Sequence, residues 1–135
     1  MSTRLLYVMD PMCSWCYGFA PVAEALVEQA QAAGVELHIV VGGLRTGSGS
    51  ALEPTTRRYI LEHWQAVHEA TGQLFKFDGA LPDGFVYDTE PACRALVAAR
   101  SLAPDCAWKL LKLIQQAFYA QGRDVTHASV LVELA

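Results

Sequence analysis

Two cysteines near the start of the chain, Cys13 and Cys16, are separated by two residues and could form a redox pair. They follow an apolar run and precede a stretch with helical periodicity, so Cys13 should lie at the N-terminus of a helix. The partial positive charge and free N–H groups at that position stabilise a thiolate, which is the reactive form of cysteine. Cys13 is therefore the predicted nucleophile and Cys16 the predicted resolving thiol, while the nearby Asp10 opposes ionisation of Cys13.

A Cys-x-x-Cys segment can also be half of a zinc site or a pair of structural thiols. A zinc site needs two more ligands, and the sequence contains no second Cys-x-x-Cys and no His-x-x-x-His pair. His63 and His68 are five residues apart, which misses the i, i+4 spacing of helical metal ligands. The strand-then-helix context favours a redox motif of the thioredoxin type, and we expect no metal and no cofactor.

Length and composition indicate one domain, or one domain with an inserted lobe. The 135 residues are 53% apolar, and the formal net charge is −4 with no basic cluster. This composition supports a packed core and argues against nucleic acid as a partner. No apolar stretch approaches the roughly 18 residues of a membrane span, so we expect no membrane partner. The motif follows Met1 too closely for a signal peptide, which predicts a cytoplasmic protein.

The chain divides into a strand–helix–strand unit and a helical remainder. Residues 5–9 and 35–41 predict two strands joined by a helix, and such strands should be parallel. Pro21 predicts a kink or break within that helix. Its apolar stripe consists of Phe19, Val22, Ala23, Leu26, Val27 and Ala30. Four glycines and two serines within 42–50 predict a mobile hinge.

Helices dominate beyond the hinge. They are expected over 55–71, 89–100 and 104–122, and from 124 or 126 onward, with irregular chain over 73–88. Trp64 should lie in the core, and Thr89 should cap the second of these helices. Cys93 and Cys106 lie on apolar stripes and are predicted to be buried free thiols. The predicted units are 1–43 for the N-terminal part of a thioredoxin-like domain, 44–53 for the hinge and 54–135 for a helical lobe.

The segment Asp10-Pro11-Met12-Cys13-Ser14-Trp15-Cys16-Tyr17-Gly18-Phe19 resembles the active site of DsbA-like thioredoxin-fold proteins. The similarity is greatest to the FrnE-like branch of predicted dithiol–disulfide isomerases, and it covers essentially the whole chain. The other matching segments are Gly42-Gly43-Leu44-Arg45, His63-Trp64, Thr71-Gly72, Thr89-Glu90-Pro91-Ala92-Cys93-Arg94-Ala95, Ala117-Phe118-Tyr119 and Gly122-Arg123-Asp124.

The resemblance implies an α/β fold in which a thioredoxin-like βαβ unit is followed by an inserted all-helical lobe. It implies that Cys13 attacks a substrate disulfide and that Cys16 resolves the mixed disulfide. Ser14 and Trp15 occupy the positions that tune the redox potential in such proteins, and Pro11 belongs to the surround of the site.

The family's cis-proline loop, its last two strands and its final helix have no counterpart in this sequence. Pro54, Pro82, Pro91 and Pro104 lie in turns or at helix starts, and none precedes a strand. The sequence therefore resembles the N-terminal part of a longer protein. If the chain is complete as given, its two-stranded sheet leaves unpaired edges and uncovered apolar faces, and we expect self-association.

The leading functional prediction is a protein disulfide oxidoreductase or isomerase, whose partners carry a disulfide or a dithiol and are proteins or small molecules. One alternative is a glutathione-dependent enzyme of the 2-hydroxychromene-2-carboxylate isomerase or kappa-class transferase type. Those relatives usually carry serine at the position of Cys13 and need no second cysteine, so the presence of both thiols favours redox chemistry. The other alternative is an inactive thioredoxin-like fragment that serves as a binding module.

Overall fold

The structure, a computed structural model, describes residues 3–47 and 49–135. Met1 and Ser2, at the start of the predicted N-terminal unit, and Ser48, in the predicted hinge, lie outside the described residues. In chain order the elements are β1 (Arg4–Met9), α1 (Ser14–Ala32), β2 (Glu36–Val41), α2 (Pro54–Thr71), α3 (Glu90–Leu102), α4 (Pro104–Gln115), a π-helical segment (Gln116–Ala120) and α5 (Ala128–Leu134). This order confirms the predicted fold class, α/β but mostly helical, with a thioredoxin-like βαβ unit followed by a helical lobe.

The two strands pair in parallel, as predicted, in a register that begins with Arg4 opposite Glu36. Within the described ranges the sheet contains no further strand. Alternate residues of a strand point to opposite faces, so Met9 is buried whereas Leu6 and Val8 are 51% and 65% exposed. Helices α1, α3 and α4 all contact β2. Strand β1 therefore forms an exposed edge, and one of its faces is open to solvent.

Helix α1 continues through Pro21, so the predicted break is wrong. Pro21 has no N–H to donate to the Tyr17 carbonyl one turn earlier. The side-chain amide of Gln73, from the irregular segment after α2, donates to that carbonyl at 3.0 Å instead. A hydrogen bond from the lobe thus replaces the missing helical one, and the helix does not end.

The predicted apolar stripe of α1 is divided between core and surface. Its buried members are Ala23, Val27 and Ala30. Its exposed members are Phe19, Val22 and Leu26. The exposed members lie on the side of α1 that no element in the described residues covers, although the Phe19 ring lies 6.4 Å from that of Tyr7 in β1. Helical spacing alone could not separate the two sets.

An aromatic cluster forms the core of the lobe and also holds the start of α1. Tyr17 stacks on Tyr119 of the π-helical segment, with ring centroids 4.8 Å apart. The Tyr17 hydroxyl donates to the Leu74 carbonyl at 2.6 Å. Trp64 is 2% exposed, which confirms its predicted core position, and its ring lies 5.0 Å from that of Tyr119. The residue directly after Cys16 is therefore anchored in the lobe.

The helix predicted over 55–71 is confirmed as α2, with Gly72 in a left-handed conformation (φ 77°) just past its end. Residues 73–88 are irregular, as predicted. The final helix begins at Ala128, later than predicted, because the Asp124 carboxylate accepts the N–H of Thr126 at 2.9 Å and holds a turn there. None of the helices in the described residues is both long and apolar enough to cross a bilayer.

Two predictions about side chains near α3 and α4 need correction. The Thr89 hydroxyl does not cap α3; it accepts the N–H of Arg45 at 3.1 Å, and the Asp88 carboxylate accepts the N–H of Glu90 at 3.0 Å. Cys93 is buried, as predicted. Cys106, in the first turn of α4, is exposed to solvent and is not a core thiol.

Candidate active site

A tight turn over residues 10–13, called the Cys13 turn below, presents the first cysteine. The Cys13 N–H donates to the Asp10 main-chain carbonyl at 3.1 Å, and the Met12 N–H donates to Oδ1 of the Asp10 carboxylate at 2.8 Å. The Tyr87 hydroxyl, from the segment before α3, donates to the Met12 carbonyl at 2.5 Å. Met12 is fully buried, its N–H is held by Asp10 and its carbonyl by Tyr87, so the lobe helps to fix the residue before Cys13.

Cys13 occupies the N-cap position of α1, with extended backbone dihedrals. Its pKa is lowered from 9.0 to about 6, chiefly through the interaction of its sulfur with the neighbouring Cys16 thiol. Burial opposes this shift, and the N–H groups of Cys16 and Trp15 favour it through weak interactions rather than well-formed capping hydrogen bonds. The charge of Asp10 also opposes it. Cys13 is therefore a thiolate at neutral pH.

Cys16 shows the opposite shift. Its pKa is raised far above the usual thiol range, first through its interaction with the Cys13 sulfur and second because it is partly buried. The charges of Cys13 and Asp10 act in the same direction. The two thiols thus hold one proton between them at neutral pH, and that proton belongs to Cys16.

Three tyrosines surround the thiols. Burial, and then the charges of the two cysteines, raise the pKa of Tyr7 to about 12. Burial raises the pKa values of Tyr87 and Tyr119 still further. The Tyr119 hydroxyl interacts electrostatically with that of Tyr87 but makes no well-formed hydrogen bond within the described residues. All three rings are therefore neutral under conditions in which Cys13 is charged.

A groove of about 280 Å³ opens beside Cys13 and is called the Cys13 groove below. Its exposed apolar walls are Trp15, Leu44 and Tyr59, which are 50%, 60% and 61% exposed. Arg45 adds a positive charge, and its guanidinium lies over the Tyr87 ring at 5.2 Å. His63 also lines this groove. A larger groove of about 430 Å³, between α2 and residues 77–84, contains no cysteine and is not adjacent to the thiols.

The structure brings all five predicted site residues into one region. Cys13, Ser14 and Trp15 line the Cys13 groove, while Cys16 lies behind them in the first turn of α1. Pro11 is fully buried in the Cys13 turn. No cluster of three or more potential metal ligands is found in the described parts of the chain.

Sequence reasoning missed the residues that the lobe and the loop after β2 contribute to this region. They are Leu44, Arg45, Tyr59, His63, Tyr87 and Cys93. Leu44, Arg45, His63 and Cys93 lie in segments that match the family, and that match was the signal that could have found them. No such segment contains Tyr59 or Tyr87, which meet Cys13 only through the fold. Asp10 carried a signal that could have been used: an aspartate before Pro at a strand end commonly accepts the N–H two residues ahead.

A thioredoxin-like βαβ unit with a dithiol at a helix N-terminus, followed by a helical lobe, defines the class of protein. Comparison with solved structures supports a DsbA-like thioredoxin-fold family. The "putative protein disulfide isomerase" of Nitrosomonas europaea is 44% identical, with a TM-score of 0.89 over 100% of this chain and 64% of that one. The cytosolic disulfide reductase DsbM of Pseudomonas aeruginosa is 34% identical, with a TM-score of 0.80 over 96% of this chain and 60% of that one.

DsbM solved with GSH gives a similar match, with a TM-score of 0.81, 34% identity and coverage of 96% of this chain and 61% of that one. The chain thus spans less than two thirds of the length of these solved proteins. No protein-family model matches the chain, and no curated protein matches it.

Proposed function

We propose that the protein is a thiol–disulfide oxidoreductase in which Cys13 is the nucleophile and Cys16 the resolving thiol. The observation that carries this proposal is the placement of the two thiols: Cys13 occupies the N-cap position of α1 and lines the groove, whereas Cys16 lies behind it in the first turn. The lowered pKa of Cys13 and the raised pKa of Cys16 agree with these roles. This pair provides one thiolate for attack and one protonated thiol for the second step. The disulfide isomerase and reductase neighbours, at 34–44% identity, support the same chemistry.

In the proposed reaction the Cys13 thiolate attacks one sulfur of a substrate disulfide, and the other substrate sulfur leaves as a thiolate. Cys16 then loses its proton and attacks the Cys13 sulfur. This second attack closes the Cys13–Cys16 disulfide and releases the second substrate thiolate. The substrate gains two electrons and the cysteine pair loses two. Two external thiols must then reduce the pair.

The proposed partners are small molecules or proteins that carry a disulfide, with a small thiol of the glutathione type as reductant. The Cys13 groove offers apolar surface at Trp15 and Leu44 and one cation at Arg45, which suits a thiol compound that also carries a carboxylate. DsbM has been solved with GSH and is described as cytosolic. We propose that this protein also uses glutathione and is also cytosolic.

Three finer assignments are also proposals. The quoted motif supports the FrnE-like branch, and Pro11, Ser14 and Trp15 are proposed to tune the redox potential. The unit bounds of 1–43, 44–53 and 54–135 follow the element order. The start of the proposed hinge is anchored, because the N–H groups of Leu44 and Arg45 donate to Asp10 and Thr89.

Trapping of the intermediate tests the proposed roles. Cys16→Ser should accumulate a mixed disulfide at Cys13 that mass spectrometry detects, whereas Cys13→Ser should form none. Turnover of a small disulfide with glutathione should be lost in both variants and kept in Cys106→Ser, the matched control with an exposed thiol outside the site. Isomerase turnover that survives Cys16→Ser would favour the glutathione-dependent alternative and contradict the proposal.

A further inference from the structure

Asp10 is a buried carboxylate with three hydrogen-bond donors from three parts of the chain. It is 4% exposed. Its Oδ1 accepts the Met12 N–H at 2.8 Å, and its Oδ2 accepts the Leu44 N–H at 2.8 Å and the Cys93 thiol at 3.4 Å. All three partners donate hydrogen bonds, and an ionised carboxylate only accepts them, so the contacts fit the ionised form. No ion pair neutralises it in residues 3–47 and 49–135.

Two of the three donors line the Cys13 groove, and the third lies in the neighbouring helix α3. Met12 directly precedes Cys13, Leu44 forms a wall of the groove, and Cys93 lies in α3. The next residue, Arg45, is paired with Thr89 through two hydrogen bonds, one in each direction. One carboxylate therefore joins the Cys13 turn to the loop that carries the opposite wall.

The charge of Asp10 works against the nucleophile. It raises the pKa of Cys13 and also that of Cys16. Only the reduced pair carries a thiolate at Cys13, because the Cys13–Cys16 disulfide is uncharged. A fixed negative charge beside the pair therefore destabilises the reduced form alone, and a less stable dithiol is a stronger reductant.

We propose that Asp10 is a positioning residue of the redox site: its carboxylate holds the Leu44 wall of the groove against the Cys13 turn, and its charge biases the cysteine pair toward disulfide reduction. This inference rests on the proposed function. It assigns a direction to the reaction, since the same two cysteines could also oxidise a dithiol.

Several other titratable or charged groups surround the thiols, and the variants used in a test must leave them unchanged. The titratable or charged groups around the pair and Asp10 are Tyr7 of β1, Arg45 of the loop after β2, His63 of α2, Tyr87, Cys93 of α3 and Tyr119. Burial, followed by the charge of Asp10, raises the pKa of Cys93 to about 12, so Cys93 stays a neutral donor near pH 7.

Asp10→Asn removes the charge and one acceptor. Met12 and Leu44 donate to different oxygens, so the asparagine NH₂ must face one of them and lose that hydrogen bond. The alkylation midpoint of Cys13 should fall by about half a unit to one unit of pH. Two GSH molecules reduce the Cys13–Cys16 disulfide and form one GSSG. The equilibrium constant of this reaction should rise about three- to tenfold. The KM for a small disulfide should rise several-fold, because the groove wall loses its anchor.

Cys93 variants also test the charge of Asp10, and Cys93→Ala should shift the Cys13 alkylation midpoint in the direction opposite to Asp10→Asn. Cys93→Ala removes a donor from Oδ2, so the carboxylate is less neutralised, the Cys13 midpoint should rise, and the glutathione equilibrium constant should fall. Cys93→Ser keeps a donor and should stay near wild type. Asp124→Asn is the matched control, because Asp124 also accepts an N–H two residues ahead but lies outside the groove.

Equal midpoints in wild type and Asp10→Asn, or shifts of the same sign in Asp10→Asn and Cys93→Ala, would overturn the inference. If Asp10→Asn does not fold, the Cys93→Ala and Cys93→Ser pair decides the matter. Alkylation and the glutathione equilibrium require no turnover. A wild-type protein that turns over no disulfide would therefore refute the proposed function while leaving Asp10 testable.

Discussion

Of the two thiols of the candidate site, only Cys16 is protonated at neutral pH, and this arrangement makes stability depend on pH. The pKa of Cys13 is about 6 in the folded protein and 9.0 when unperturbed, so the folded state loses its proton first. The resulting stabilisation is complete above about pH 9 and is lost as the pH falls through about 6. Cys13 is partly exposed, so solvent screening reduces the effect to on the order of 1 kcal/mol, or roughly 3–5 °C in Tm.

The Tm of the reduced protein should therefore rise by this amount between pH 6 and 8.5 relative to the Tm of Cys13→Ser. Differential scanning calorimetry of both proteins under reducing conditions measures the difference, and titrating groups that do not interact with Cys13 cancel between them. If Tm changes equally with pH in the two proteins, the Cys13 pKa is not lowered by folding.

Trp15 lies between the two cysteines and is half exposed, so its fluorescence should report the redox state. Trp64 is buried in the aromatic cluster and Trp108 lies in α4, so neither is expected to respond. Closing the disulfide should change the emission of wild type, and Trp15→Phe should abolish most of that change. Emission spectra of oxidised and reduced samples test this, and an undiminished change in Trp15→Phe would contradict it.

At the scale of the elements, α1 depends on a side chain from the lobe. Gln73 supplies the hydrogen bond that Pro21 cannot give to the Tyr17 carbonyl. Gln73→Ala should therefore lower the free energy of unfolding by about 0.5–1.5 kcal/mol. In a Pro21→Ala background the alanine N–H can donate to that carbonyl. Gln73→Ala should therefore lower the free energy of unfolding by a smaller amount in that background.

Urea unfolding of the four proteins in this double-mutant cycle measures the coupling. Equal costs of Gln73→Ala in the two backgrounds would show that the amide does not compensate for the proline.

Local patterns in the sequence predicted most of the elements, and long-range contacts decided the rest. The strands, α2 with Gly72 and the irregular segment 73–88 follow from apolar runs and turn residues. The role of Thr89 could not be predicted, since its hydroxyl bonds Arg45, which is 44 positions away. The same holds for the Cys13 groove: a local motif identifies Cys13, but the loop and lobe residues around it are placed by packing.

At the scale of the whole molecule, apolar surface is left uncovered. Val8 on β1 and Val22 on α1 are 65% and 57% exposed, and within residues 3–47 and 49–135 no strand pairs with the outer edge of β1. Such edges and faces favour association with another chain or segment. We therefore expect this chain by itself to self-associate.

Sedimentation velocity over a range of concentrations tests this expectation. Val8→Lys should reduce the association, because a charged side chain on an edge strand opposes pairing. Val132→Lys, on an equally exposed residue of α5, is the matched control and should leave it unchanged. A wild type that stays monomeric over the whole concentration range would contradict the expectation.

The Tyr87–Met12 hydrogen bond has a consequence for the newly made protein. The two residues are 75 positions apart, so at a synthesis rate of about 5–20 residues per second Met12 is made roughly 4–15 s before Tyr87. The Asp10–Cys93 contact spans 83 positions and forms later still. During translation the two cysteines are thus synthesised early, as ordinary thiols of a nascent chain. The lobe's hydrogen bonds to Met12 and Asp10, which hold the Cys13 turn, can form only after the first half of the lobe has left the ribosome.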